Sequence, residues 1–133
     1  MTHLPPEWAQ HSAVWIGFPS AADLWLDDLD GAQGEVAAFA RAVHAGGKGE
    51  IVRLVCANPQ AEAAARALAG DCAEVVVAPF FDIWLRDTGP IVVSNTGMPL
   101  ALDYRGNGWG GKYPSPARAF TRATSVNSPR HGT

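Results

Sequence analysis

Two carboxylates, a guanidinium and an indole lie close together in the stretch DIWLRDTGP, residues 82–90. The stretch follows the apolar run EVVVA and precedes IVVS, which predicts that its charges lie at the edge of a core. A charge there is costly unless it is paired. Two interpretations follow: the aspartates pair with Arg86 or Arg105 in a structural network, or Asp87 is kept for a cationic ligand.

Asp87 is the residue of this stretch best suited to hold a cation. Gly89 and Pro90 predict a turn directly after it, and the flanking apolar runs predict that a strand end presents it. A carboxylate can bind a planar guanidinium through two hydrogen bonds. Trp84 would add an apolar wall to such a site, or it fills the core as tryptophan commonly does. An extended loop would place Trp84 and Arg86 on one face.

The elements that position this stretch alternate between strands and helices. Asn58 and Pro59 are typical of a helix start, and Gly46, Gly47 and Gly70 are typical of helix ends. The turn NTG joins the last two strands. The order predicts an α/β fold with a mixed sheet. The predicted elements are strand 13–18, helix 28–45, strand 50–57, helix 59–69, strand 74–78 and a hairpin of 90–94 with 99–104.

Composition and charge exclude several classes of function. Residues 1–113 hold all thirteen acidic residues and seven of the ten basic ones, a net charge of −6, which argues against nucleic acid as the main partner. No apolar run is long enough to span a bilayer, and the first residues lack a signal-peptide pattern, which predicts a cytoplasmic protein without a membrane partner. Two cysteines do not form a disulfide framework.

The character of the sequence changes at Pro114. Residues 114–133 contain three arginines and no acidic residue, are rich in proline, serine and threonine, and show no apolar periodicity. Such a segment cannot offset the entropy of ordering its backbone. We therefore expect residues 114–133 to be a disordered tail, although a basic arm for an acidic partner is an alternative.

Four stretches occur in an order that resembles the agmatine deiminase family, which includes the bacterial-type peptidylarginine deiminases. The resemblance covers residues 5–113 and corresponds to the N-terminal part of the family pattern. Its long third stretch is the most specific. The four stretches are PPEWAQHSAVWIGFP, DLWLDDLDGAQ, DIWLRDTGPIVV and LDYRGNGWGGKY.

The resemblance implies the pentein fold, in which five αββαβ-like modules surround a central channel that holds the active site. It also implies hydrolysis of a guanidinium group, with agmatine converted into N-carbamoylputrescine and ammonia. In the family a cysteine thiolate attacks, a histidine moves protons and two aspartates hold the guanidinium, without a metal or organic cofactor. Carried over to this sequence, Asp87 is one of these catalytic aspartates, a buried charge kept for the substrate, and Trp84 lines the substrate pocket.

Other parts of the family pattern have no counterpart in this sequence. Cys56 and Cys72 lie among strand and helix patterns, and neither matches the nucleophile. The histidines lack the family's surrounding motif. We therefore expect a truncated or frame-shifted product that is inactive alone, and an isolated chain that is poorly soluble or a homo-oligomer. Two alternatives stay open: a peptidyl-arginine deiminase, or a non-catalytic fragment that binds a guanidinium or another partner.

Overall fold

The structure, a computed structural model, describes residues 1–80, 83–102 and 108–111. Short 3-10 turns, Leu26–Asp28 and Ala45–Gly47, flank the longest helix. The helices and strands are β1 (Thr2–His3), β2 (Val14–Gly17), α1 (Ala22–Trp25), α2 (Leu29–His44), β3 (Val52–Cys56), α3 (Pro59–Ala69), β4 (Ala73–Val77), α4 (Leu85–Thr88), β5 (Ile91–Asn95), β6 (Met98–Leu102) and α5 (Gly108–Gly111).

Strands β2, β3 and β4 form a parallel sheet in sequence order. Ile16, Leu54 and Val75 lie side by side across its three strands, which fixes the register. Parallel neighbours need a crossover between them, and α2 and α3 supply the two crossovers. The carboxyl ends of all three strands therefore meet at one edge of the sheet, where loops carry functional residues in many α/β proteins.

Helices α2 and α3 cover one face of this sheet and form the main core with it. The buried positions of α3 are alanines four residues apart, so the helix can lie close to its neighbours. Burying a Leu or Val side chain contributes roughly 1.5–3 kcal/mol, so most of the stability is expected here. The buried members of this core are Phe18, Ala37, Ala40, Val52, Leu54, Cys56, Ala61, Ala65, Ala69 and Cys72.

Side-chain hydrogen bonds tie together the loops at the carboxyl edge of the sheet. Asn58 caps α3, since its Oδ1 accepts from the Ala61 N–H at 2.9 Å, as its position before Pro59 predicts. Its Nδ2 donates to the Ser20 carbonyl at 2.8 Å. The buried Gln33 amide donates to the Pro19 carbonyl at 2.9 Å. The chain after β2 is therefore held to both helices.

Strands β1, β5 and β6 form a second, antiparallel sheet in the order β1-β5-β6. A two-residue loop, Thr96–Gly97, joins β5 to β6 as predicted, and both residues have positive φ, 50° and 84°. Positive φ at both positions characterises the type I′ turn, whose twist matches that of a hairpin. Val93 is the buried residue of β5 and β6, and most of the others are exposed.

The α/β class is confirmed, with one correction to the predicted sheet. The sequence predicts one mixed sheet, whereas the described parallel and antiparallel strands lie in two separate sheets. The chain turns through α4 after β4, so β5 does not continue the edge of the parallel sheet.

Helix α2 differs from the simple apolar stripe that its spacing predicts. Phe39 is exposed, and Gln33 takes a buried position.

Several predictions fall outside the described residues. They include the tail 114–133 together with Asp82, Arg105 and part of the glycine-rich stretch that contains α5. Within the ranges that are described, no helix combines the length and apolar character needed to cross a membrane.

Candidate functional site

Arg86 and Asp87 lie on α4, a single helical turn that connects the two sheets along the chain, and Trp84 lies directly before it. Trp84 precedes the turn with φ −71° and ψ 62°, and its carbonyl accepts from the Asp87 and Thr88 N–H groups at 3.1 and 3.2 Å. Gly89 is extended, with ψ 169°, as expected for a residue before Pro90. The turn therefore ends at Thr88 because proline disfavours a helical residue before it.

Gly17 lets the chain before α4 lie directly on the end of β2. A Cβ atom at residue 17 would stand 2.8 Å from the Ile83 Cα and 2.9 Å from the Ile83 carbonyl oxygen. Such contacts are shorter than real Cβ atoms make with a backbone. A glycine is therefore required at this position if the chain is to reach α4 by this path.

Leu85 fixes α4 to the face of the parallel sheet opposite α2 and α3. Together with Trp15 and Phe80 it packs against the buried pair Val55 and Ala78. An apolar side chain in the middle of the motif therefore sets which way the rest of the turn faces. Because neighbouring helical side chains point about 100° apart, anchoring Leu85 turns Arg86 and Asp87 away from it.

A row of three side chains extends this face beyond the Leu85 cluster. Trp15, Arg53 and Glu74 are neighbours across β2, β3 and β4. The Arg53 Cζ lies 5.1 Å from the centre of the Trp15 ring, and its Nε donates to Glu74 Oε2 at 2.7 Å. Trp15 thus joins the ionic row to the apolar cluster that holds α4.

Among the described residues, the Arg86 side chain pairs with Glu7 and not with Asp87. Its Nη2 donates to Glu7 Oε1 at 2.7 Å, across 79 residues of sequence. The two side chains are 88% and 79% exposed. The hydrogen bond and the charge of Glu7 raise the pKa of Arg86, and Asp87 adds a smaller contribution in the same direction. Among the described residues the Arg86 guanidinium therefore pairs with the first motif, and its predicted pairing with Asp82 lies outside the part of the chain that the structure describes.

Asp87 and Trp84 both face solvent, which corrects two expectations. Asp87 was expected to be a buried charge at a strand end, but it lies exposed on α4. Trp84 is 57% exposed, and the helical turn separates it from Arg86 instead of placing both on one face. The physical reason is that Leu85 takes the inward position, while an unpaired carboxylate stays in water. In the described part of the chain, no hydrogen bond or ion pair reaches the Asp87 carboxylate.

Glu7 also lines an open groove of about 450 Å³ beside the start of β2. In this groove the His11 Nδ1 and Glu50 Oε2 atoms lie 3.0 Å apart. The walls of the groove are residues 7–12 and 49–51, and they do not include Trp84 or Asp87. His11 thus has a structural partner, and the groove reaches the α4 turn through the pair of Glu7 with Arg86.

The two cysteines are buried in the core, away from α4. Cys56 belongs to the core on the α2 and α3 side of the sheet, whereas Leu85 packs on the other side. Burial raises the pKa of the Cys56 thiol to about 11. A thiol with such a pKa is neutral near pH 7 and is a weak nucleophile. Cys72 donates to the Ala69 carbonyl at 3.4 Å.

No group of three or more His, Cys, Asp or Glu side chains among the described residues is arranged as a metal centre. The sequence predicts Trp84 and Asp87 as site residues and does not indicate the contacts of Glu7 and Gly17 with the α4 region. Both residues lie in the first of the four stretches, PPEWAQHSAVWIGFP. Their contacts with α4 are long-range, and the local pattern around them gave no signal for either contact.

A model of the Porphyromonas-type peptidyl-arginine deiminase family matches residues 3–129. This range runs beyond residue 113, where the resemblance by motif ends. Among curated relatives, the agmatine deiminase of Stutzerimonas stutzeri is 39% identical over 112 residues, which are 83% of this chain and 29% of the relative. That of Ectopseudomonas mendocina is 34% identical over 110 residues, again 29% of its length. The chain therefore spans less than one third of these relatives.

A solved structure of C. jejuni agmatine deiminase with substrate bound has the same fold over the matched part. The TM-score is 0.66 at 21% identity, over 88% of this chain and 34% of the other. The family match covers nearly all of the sequence, and the relatives agree with it. The chain belongs to the Porphyromonas-type peptidyl-arginine deiminase family.

Proposed function

We propose that residues 1–113 are the guanidinium-holding N-terminal portion of an agmatine deiminase, and that residues 114–133 form a tail, although the family model matches the chain as far as residue 129. The complete enzyme would hydrolyse agmatine to N-carbamoylputrescine and ammonia in the cytoplasm. The observation that carries the proposal is the Asp87 carboxylate, which has no partner in the described residues although Arg86 lies next to it. The curated relatives named agmatine deiminase support the same choice of substrate class.

In this proposal Asp87 accepts two hydrogen bonds from the guanidinium of the substrate, and Trp84 forms an apolar wall against the cation. Both groups are exposed in this chain. In a complete pentein ring the central channel would exclude water from them. The same charge pair is stronger in such a low-dielectric environment than in water.

The covalent step requires a nucleophile from another part of the enzyme. A cysteine thiolate would attack the guanidinium carbon, ammonia would leave after protonation, and water would hydrolyse the S-linked thiouronium to release the ureido product and the thiolate. Cys56 is unsuited to this role because it is buried, neutral near pH 7 and on the far side of the sheet from α4. We therefore expect the 133-residue chain to be inactive alone.

Two alternatives to the agmatine deiminase remain. The description of the family model favours a peptidyl-arginine substrate, whose guanidinium would contact Asp87 and Trp84 in the same way. The exposed Asp87 and Trp84 also fit a fragment that binds a guanidinium without catalysis. Both alternatives retain the proposed cation site at Asp87 and Trp84. They differ in the substrate that is bound and in whether a reaction follows.

A chimera tests the proposal. Residues 1–113 replace the corresponding part of the Stutzerimonas stutzeri agmatine deiminase, and formation of the ureido product is measured with agmatine and with a peptidyl-arginine substrate. We expect the chimera to turn over agmatine and the 133-residue chain not to. Asp87→Asn keeps the shape and removes the charge, so kcat/KM should fall by roughly 30- to 3000-fold, the equivalent of about 2–5 kcal/mol.

Glu35→Gln is the matched control, because it removes one exposed carboxylate from α2 without touching α4. It should leave kcat/KM within about twofold of the chimera. A chimera that folds and is active but is indifferent to Asp87→Asn would remove Asp87 from the site. Turnover of peptidyl-arginine in preference to agmatine would instead favour the first alternative.

A further inference from the structure

Arg86 and Asp87 present a problem for any site that must bind a cation. A guanidinium one residue away from an exposed carboxylate competes with the ligand for that carboxylate, because both offer planar N–H groups to the same oxygens. Arg86 has a long, flexible side chain and is exposed. Side chains at adjacent positions of a helical turn point in different directions, but this alone does not keep the Arg86 guanidinium from folding back onto Asp87.

The structure shows where the Arg86 guanidinium goes. It binds Glu7 at 2.7 Å, and Glu7 comes from the N-terminal segment before β2. The segment has its own attachment to the parallel sheet, because His11 contacts Glu50 at the entrance to β3 at 3.0 Å. The segment that carries Glu7 is therefore attached to the parallel sheet at a point separate from the Arg86 contact.

We propose that Glu7 is a positioning residue that holds the Arg86 guanidinium away from Asp87 and so keeps the Asp87 carboxylate open to a guanidinium ligand. The inference rests on the proposed function, because it concerns the same carboxylate. Glu7 touches neither the ligand nor Asp87; it acts through Arg86. An exposed ion pair of this kind adds little to stability, so its effect should appear in ligand binding instead of in folding.

The first test needs no ligand. The Nε–Hε resonance of Arg86 is followed by NMR in four forms of the full 133-residue chain: wild type, Asp87→Asn, Glu7→Gln and the double variant. In the wild-type background Asp87→Asn should hardly shift this resonance, because Arg86 is bound to Glu7. In the Glu7→Gln background the same change should shift it clearly, because the released guanidinium has moved to Asp87. Equal shifts in both backgrounds would overturn the inference.

The second test measures agmatine binding to the same chain by calorimetry. Glu7→Gln should raise the Kd about two- to fivefold, the range expected for an exposed charge pair. Glu35→Gln is the matched control, since it removes an equal exposed charge from α2 without touching Arg86 or the segment that carries Glu7. The loss caused by Glu7→Gln should exceed that of Glu35→Gln, and it should disappear when Arg86→Gln is present.

The two tests separate the inference from the proposed function. If Glu7→Gln and Glu35→Gln weaken binding equally, or if Glu7→Gln acts equally with and without Arg86, the positioning role is refuted. If the wild-type chain does not bind agmatine, the proposed site fails in this chain, and the Arg86 resonance alone decides whether Glu7 diverts the guanidinium. Because both side chains are exposed, the variants should fold, which circular dichroism can verify.

Discussion

The two sheets of the molecule differ in how well their faces are covered. The parallel sheet has one face covered by α2 and α3, and its central strand β3 is almost entirely buried. The antiparallel sheet has no described helix packed on it, and large apolar side chains such as Met98 and Val92 are exposed. The comparison shows that α4 is packed against the parallel sheet through Leu85. Leu85 is anchored in the parallel unit, whereas the strand that follows Pro90 enters a thinly covered sheet.

A small sheet without a covered face is marginally stable by itself. Regions with few buried contacts open at a lower free energy than the global unfolding of the molecule. We therefore expect β5 and β6 to open locally more easily than β3, with α4 at the boundary between the two behaviours. Substitutions in the two regions should therefore differ in their effect on stability.

The largest effect is expected for Leu54→Ala in the middle of β3. Leu54 is fully buried, so its truncation leaves a cavity and should lower the free energy of unfolding by about 2–5 kcal/mol. Leu100→Ala, at an exposed position of β6, is the matched control and should cost less than about 1 kcal/mol. Urea denaturation measures both values. Similar losses for the two variants would show that the antiparallel sheet is as well packed as the parallel one.

Gly17→Ala should come next, because its Cβ would collide with the Ile83 backbone. The expected cost is about 1–3 kcal/mol, with faster amide exchange in α4 as the chain moves off β2. Gly34→Ala is the control: its Cβ meets nothing within 4 Å on α2, and alanine should stabilise the helix by up to about 1 kcal/mol. A neutral Gly17→Ala would mean that the approach of Ile83 to β2 is not needed for the fold.

Alkaline pH should weaken the parallel unit through Cys56. Its pKa is raised to about 11 by burial, above the ordinary value of 9.0, so the unfolded chain ionises first. The free energy of unfolding should therefore decrease as the pH rises from 9 to 11. At pH 10 the decrease should be on the order of 1 kcal/mol. Urea denaturation at pH 8 and pH 10 should show a smaller decrease in Cys56→Ala. An identical decrease in both proteins would contradict the assignment to Cys56.

The smallest effect should come from Asp71, which ties α2 to the end of α3. Arg41 donates to Asp71 at 2.6 Å and to the Leu68 carbonyl at 2.6 Å. The Arg41 hydrogen bond lowers the pKa of Asp71, so its contribution is present above its unfolded pKa and is lost as the pH falls through the lower folded value. Asp71→Asn should slightly reduce the urea midpoint at low salt and less at high salt. A reduction that does not depend on salt would point to packing as its cause.

The main elements could be predicted because their signals are local. The cap at Asn58, the proline at the start of α3 and the two-residue turn at Thr96–Gly97 each depend on a few adjacent residues. Apolar runs of strand length likewise predicted β2, β3 and β4 to within a few residues. Such features follow from backbone preferences that act over one or two turns of chain.

The geometry of the site could not be predicted because it depends on distant contacts. The partner of Arg86 is 79 residues away, and nothing around Glu7 indicates it. Asp87 is exposed because its neighbour Leu85 takes the position that packs against the apolar cluster on the sheet. The buried Gln33 satisfies a carbonyl that belongs to the loop after β2. In each case the partner or the burial of the side chain is set by tertiary contacts, which the local sequence does not indicate.

The short strand β1 has a consequence for the order in which the molecule folds. Thr2 and His3 pair with Asn95 and Ser94, so this contact joins opposite ends of the described chain. Closing so long a loop is entropically costly until the intervening chain is compact. Contacts of such long sequence separation slow folding, whereas β5 and β6 are joined by a two-residue turn and can pair early. The hairpin of β5 and β6 should therefore form first, and β1 should pair with the edge of β5 afterwards.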